Sequence, residues 1–328
     1  MHSIIGKMFC VMFAAATAHL EAAPYQGGDG RAGRPRPAAA ARPEAAPYPG
    51  DSAARSASEP YQGGGGRAGS PLPAVREVRM EGLPRPVRVM SVDSFEETLP
   101  GQLPKGWSVS GVRPEAMQPL SRYVTNARAC SGRKSLAYDF SELPPGVRAG
   151  TASHGYTNRR LEKVAEGWCV LSLAFRHETG TLAMELRGPH KGGSPYQTFG
   201  VSFGDRFKGG EVIWTSATGP RASAGQMRSG AWQRLTLCFP SPGAQKAHSG
   251  AEPLCSYARI DVRAPDGGWT LGEWRAAPLG GVEITGPLTH FDLLGYGRAR
   301  FLFDNVVWGV TDAPPHVTVG IVGIVEKR

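Results

Sequence analysis

Helical periodicity is nearly missing from this chain of 328 residues, and so are most signatures of chemistry. There are five cysteines and no CxxC pair, which argues against a structural zinc site. No Gly-x-Ser-x-Gly elbow occurs, and no phosphate-binding glycine loop precedes a Lys-Ser or Lys-Thr pair. His154, His177, His190, His248 and His290 are dispersed, with no His-x-x-x-His pair. No Glu-x-Asp-x-x-Glu run offers the alternating acids of a laminarinase-like strand. No apolar run reaches the roughly 20 residues needed to cross a bilayer, so no membrane span is expected. The net charge is +9, yet the basic residues are scattered and mostly Arg, with no dense cluster and no nucleic-acid module. Nucleic acid is therefore not an expected partner. A weak pull toward anionic polymers is the most that this charge supports.

What is present begins with an export pattern over residues 1–22. Lys7 supplies the positive end, Met8 to Ala16 is a short apolar run, and small residues allow cleavage after Ala18 or Ala22. Cys10 falls inside that run and would leave with it. The mature chain is expected to be secreted or to lie in the periplasm or cell envelope. Residues 23–90 then read as a disordered, low-complexity Pro/Gly/Arg-rich spacer. Pro24-Tyr25-Gln26-Gly27-Gly28 recurs as Pro60-Tyr61-Gln62-Gly63-Gly64, and Pro47-Tyr48-Pro49-Gly50 is a degenerate third copy. One Tyr per repeat gives no apolar face to offset the entropy of ordering. Ten Arg against six acidic residues put +4 of the net charge in this arm. A docking role for the Tyr-Gln-Gly-Gly units is the functional rival to a plain spacer.

From residue 91 to 312 short strand-like runs alternate with Gly/Pro turns. In Trp232-Gln233-Arg234-Leu235-Thr236-Leu237-Cys238-Phe239, Leu235, Leu237 and Phe239 share one face, while Arg234, Thr236 and Cys238 share the other. That period of two marks a half-buried strand. Similar runs lie at 169–177 and 182–187, with Thr179-Gly180-Thr181 as the turn between them, and at 291–296 and 299–310. Two matched ends frame the region: Ser91-Val92-Asp93-Ser94-Phe95-Glu96 opens it and Phe301-Leu302-Phe303-Asp304-Asn305-Val306-Val307-Trp308 closes it. Val306-Val307-Trp308 is apolar on both faces, as a central strand requires. The fold class is all-β: a two-sheet antiparallel β-sandwich (jelly roll) whose first and last strands meet. Residues 313–328 form a C-terminal tail or one extra strand.

Four cysteines remain after export. Cys238 and Cys255 flank a polar loop, and a disulfide would staple its ends in an oxidising compartment. Cys169 shares the parity of Leu171, Leu173 and Phe175 and reads as a buried thiol.

Several landmarks resemble the jelly-roll modules of bacterial secreted polysaccharide-acting proteins. They are Asp93-Ser94-Phe95-Glu96 with Pro104-Lys105-Gly106-Trp107, Cys130-Ser131-Gly132-Arg133-Lys134-Ser135-Leu136, Gly167 to Arg176, Gly230-Ala231-Trp232-Gln233-Arg234-Leu235, and Phe301 to Val306. Concanavalin A-like (laminin-G-like) domains and galactose-binding-like carbohydrate-binding modules both fit. The resemblance implies a structural calcium ion joining the opening and closing strands, with Glu96 and Asp304 as ligands and carbonyls near Lys134 assisting. The plainer expectation is that Asp304 accepts backbone hydrogen bonds and Glu96 is solvated.

Sugar rings present apolar C–H faces that lie on aromatic rings. Trp214, Trp269, Trp274 and Tyr296 are the candidate ligand-binding residues, while Trp107, Trp168, Trp232 and Trp308 fit core positions. Glu178 and Glu185 straddle Thr179-Gly180-Thr181 and could face one another, but nearby Arg176 and Arg187 suit solvated ion pairs better. The function expected is non-catalytic binding of a polysaccharide or glycoconjugate. A structural or adhesive protein contacting envelope proteins is the second reading, and a divergent glycoside hydrolase or polysaccharide lyase is the third.

Overall fold

The computed structural model describes residues 76–110, 122–142, 156–192, 197–250 and 253–317. The export segment, most of the repeat arm and tail residues 318–328 lie outside the described residues. The first strands are β1 (Glu77–Val78), β2 (Val87–Asp93), β3 (Trp107–Ser110), β4 (Arg122–Thr125), β5 (Ser135–Asp139) and β6 (Tyr156–Arg160). There follow β7 (Trp168–Arg187), β8 (His190–Lys191), β9 (Phe199–Gly204), β10 (Glu211–Ser216), β11 (Ala222–Gln226) and β12 (Trp232–Pro240). A one-turn helix α1 (Pro242–Ala247) is capped by Ser241, whose hydroxyl accepts from the Ala244 N–H at 3.2 Å. The rest are β13 (Cys255–Arg263), β14 (Trp269–Thr270), β15 (Arg275–Pro278), β16 (Glu283–Ile284) and β17 (His290–Thr311).

The architecture is an antiparallel β-sandwich built around one long pair. β7 and β17 run antiparallel from Trp168 opposite Thr311 to Arg187 opposite His290. Where Trp168–Phe175 faces Phe303–Thr311, the pair is flanked by β2 and β12, then by β13 with β14 and β15. We call this sheet A. Where Thr181–Arg187 faces His290–Tyr296, the flanking strands are β6 with β3 on one side, and β9, β10 and β11 on the other. This is sheet B. The sheets pack face to face. Phe199 of β9 stacks on Phe239 of β12 at 4.7 Å, and Trp214 Nε1 of β10 donates to Ser256 Oγ of β13 at 3.1 Å. Phe175, Phe203, Phe301 and Phe303 are fully buried between the layers.

The matched ends do meet. Val306 pairs with Asp93 and Trp308 with Ser91, so β17 lies between β2 and β7 as its two-sided apolar pattern requires. Phe95 and Phe303 share one core. Two details depart from the expectation. The runs on either side of Thr179-Gly180-Thr181 belong to the single strand β7. Gly180 (φ +80°) bends it rather than ending it, and the Ala299 backbone of β17 lies so close that no side chain would fit there. The ordered body also starts before residue 91. Val87-Arg88-Val89 pairs within β1–β2 and β2–β17, and Val87 is fully buried.

Candidate functional site

Register places the outward-facing residues of sheet A in rows across four strands. One row reads Asp304, Ala174, Arg234, Asp261. The next reads Val307, Ser172, Thr236, Arg259. Small side chains at Ala174, Ser172 and Thr236 leave a trough of about 240 Å³, with Arg234, Trp269, Arg259, Met80 and Asn305 among its walls.

A buried carboxylate organises the walls. Asp261 is fully buried, and its Oδ2 accepts from Arg234 Nε (2.8 Å) and Nη2 (2.6 Å) and from Arg259 Nη2 (3.1 Å). Its Oδ1 meets Arg259 Nε at 2.8 Å and the Gly272 N–H at 3.1 Å. Charge-assisted forks of this kind hold guanidinium groups in one plane. Arg234 then lies over the half-buried indole of Trp269, 4.7 Å from its centroid. Arg259 lies over Trp274 at 4.9 Å. Desolvation lowers the Arg259 pKa, the Asp261 charge opposes that shift, and Arg259 Nη1 donates to Glu81 O at 2.5 Å. The turn carrying Glu81 needs glycine at its apex. Gly82 has φ +76°, and a Cβ there would strike Arg259 Nη1 and Trp274 Nε1.

The four aromatic candidates separate. Trp269 lines the trough, and Trp274 packs behind it with Met80 and Leu83. Trp214 is 2 % exposed and belongs to the core, because β10 turns it inward onto Ser256. Tyr296 lies on the sheet B half of β17, with Arg206 5.8 Å from its ring centroid. Trp107 and Trp308 are core residues as expected, but Trp168 and Trp232 are half-buried. The sequence reading passed over Arg234, Arg259, Asp261 and Asn305 as site residues. The signal for one of them was the polar parity of Arg234, Thr236 and Cys238.

Glu96 and Asp304 do converge on one loop, but as hydrogen-bond acceptors. Asp304 Oδ2 accepts from the Cys130 N–H (2.8 Å) and Ser131 N–H (2.9 Å), and Oδ1 from the Asn305 N–H (2.7 Å). Burial pushes its pKa up to about 6, against the pull of those N–H groups. Glu96 Oε1 accepts from the Arg133 N–H (2.8 Å) and Lys134 N–H (2.9 Å), which hold its carboxyl below the usual value. The Lys134 ammonium donates to Glu96 O at 2.5 Å and Thr98 O at 2.8 Å. A positive charge of the protein's own therefore sits on two carbonyls beside the Glu96 carboxylate. These residues do not fit a calcium ion, which needs six to eight free oxygens. Among the described residues, no three His, Cys, Asp or Glu side chains are grouped to hold a metal.

Cys130, Cys169 and Cys238 are free thiols. The expected Cys238–Cys255 bridge is absent: register sets Cys238 opposite Tyr257, and the Cys255 thiol turns to Pro253 O at 3.3 Å. Cys238 is fully buried on the outer side of sheet A. Cys169 lies in the core, where desolvation raises its pKa. Glu178 and Glu185 sit seven residues apart on β7. Glu178 pairs with Arg176 and Arg300, and Glu185 with Arg187.

A larger cavity of about 720 Å³ opens between β11 and β13, with Glu211, Glu273, Arg228 and Arg275 among its lining residues. No aromatic ring lines it.

No protein-family model matches the chain, and no curated protein does. Among solved structures it is similar to the CBM22-1 xylan-binding domain from Paenibacillus barcinonensis Xyn10C, at 13% identity over 69% of this chain and 96% of that one, with a TM-score of 0.33. A beta-1,3-glucanase from Mycobacterium marinum is similar at 10% identity over 67% and 98%, TM-score 0.39. The calreticulin globular domain of T. cruzi is similar at 11% identity over 68% and 88%, TM-score 0.37. With scores below 0.5, none of the three says what this chain binds.

Proposed function

We propose that the sandwich is a non-catalytic, exported module that binds a polysaccharide or glycoconjugate in the trough on the outer side of sheet A. One observation carries this reading. Trp269 is half-exposed at a trough whose guanidinium walls are held in place by the buried Asp261. A sugar ring needs an apolar surface beside fixed donors, and a preformed site of this kind loses little entropy on binding. No carboxylate lines the trough, and Asp261 beneath it is saturated with N–H donors. That supports binding rather than hydrolysis, which needs two working acids.

The test is a glycan array on the intact mature protein, wild type beside Trp269→Ala. Retained glycan binding in the variant would remove the trough from the account. A hydrolase reading is favoured by one observation, the presence of Glu211 and Glu273 in the 720 Å³ cavity. Reducing-sugar release that disappears in Glu211→Gln would establish it. Envelope proteins as partners rest on the repeat arm, which lies outside the described residues.

A further inference from the structure

The charge of the trough bears on which glycan enters it. Its lining holds two charged side chains, Arg234 and Arg259, and both are cationic. They share a single carboxylate, Asp261, which accepts four N–H hydrogen bonds on two oxygens and makes an ion-pair contact with Arg259 Nε. Arg234 uses only Nε and Nη2 on Asp261, so a guanidinium has more donors than that acid can take. One strand-end away, Arg263 Nη1 donates to the Cys130 thiol at 2.9 Å, and Arg263 forms no ion pair among the described residues. The neighbouring acids act on these groups through charge but take none of the spare Arg234 donors. Asp304 is held by three backbone N–H groups, and Glu81 offers Arg259 its carbonyl rather than its carboxylate.

A neutral sugar would offer these spare, charged donors only hydroxyl groups. An anionic one offers them charged acceptors. We infer that the trough selects an anionic polysaccharide, one whose rings carry carboxylate or sulfate groups, and this rests on the carbohydrate reading above. A ring lies against Trp269 while its anionic oxygens take the outward N–H groups of Arg234. Arg is suited to this because its planar fork meets two oxygens at once and is always charged.

The experiment titrates the full-length mature protein with polygalacturonate, dextran sulfate, neutral xylan and neutral laminarin, at low and moderate salt. Four proteins are compared: wild type, Trp269→Ala, Arg234→Lys and Arg221→Gln. Arg221 is exposed and away from the trough, so its variant removes one positive charge without touching the site. Arg234→Lys keeps Asp261 neutralised, which protects the fold while removing the fork. The expected result is binding to an acidic polymer that weakens with salt. Binding should fall at least about tenfold in both trough variants, the size of one lost charge-assisted contact, and stay near wild type in Arg221→Gln. Whether polygalacturonate or dextran sulfate binds identifies the anionic group. Equal losses in Arg221→Gln and Arg234→Lys would reduce the effect to overall charge and overturn the inference. Binding to neutral xylan or laminarin alone, lost in Trp269→Ala, would overturn it and leave the carbohydrate reading standing. Binding to none of the four would bring down both.

Discussion

Asp304 carries opposing demands. It is fully buried, yet it is the acceptor that holds three backbone N–H groups at the junction of β5's entry loop and β17. Desolvation raises its pKa from 3.8 to about 6, so the unfolded chain releases this proton before the folded chain does. Across that window the folded state binds more protons than the unfolded one, and Asp304's contribution to stability falls as pH rises. Glu96 works in the opposite sense: its pKa is lowered, so its contribution is lost as pH falls. The expected outcome is that Asp304→Asn flattens the decline in melting temperature between pH 4 and 6. An unchanged slope in that variant would assign the decline to other acids, such as buried Asp292 and half-buried Glu185, whose pKa values desolvation also raises. Asn305 beside it has φ +49°, a left-handed conformation that Asn tolerates better than most residues. The carboxylate within the closing apolar run was plain in the sequence. That its partners would be Cys130 and Ser131, more than 170 residues away, was not.

At the level of elements, Lys134 ties the start of β5 to the segment following β2. Its ammonium bonds two carbonyls there while Glu96 holds the loop's N–H groups. Lys134→Met keeps the stem and leaves Glu96 O and Thr98 O without that donor. The expected loss is about 1–3 kcal/mol, the usual cost of removing a charged hydrogen bond, read by urea denaturation. In wild type a calcium chelator should leave the melting midpoint unchanged, and a clear drop would mean that an ion does hold this loop. Strand identity was largely legible: the run Trp232 to Phe239 is β12 to within one residue at its end. β7 was read as two strands because Thr-Gly-Thr has the composition of a turn. Its continuity comes from pairing with β17, and local composition does not encode a partner more than 100 residues away.

The whole molecule depends on β7 and β17 belonging to both sheets. Since neither sheet keeps its central pair when the other is lost, unfolding should be a single cooperative transition. Tryptophan fluorescence and far-ultraviolet dichroism are expected to give coincident urea curves, and two separated midpoints would show that the layers come apart independently. The same arrangement makes the outer side of sheet A a continuous surface. Arg234 and Asp261 meet only because β12 and β13 pair in this register.

The sequence by itself determined the all-β class and the alternation within each strand, because a period of two and apolar burial are local properties of the chain; the meeting of the two ends was an expectation that strand pairing had to supply. Tertiary structure alone decided the site. Which Trp is buried, which Arg shares which carboxylate, and which carbonyls Lys134 reaches all depend on strand order and register. Those are set by the summed packing of distant segments, and a side chain's own neighbours in sequence do not report them.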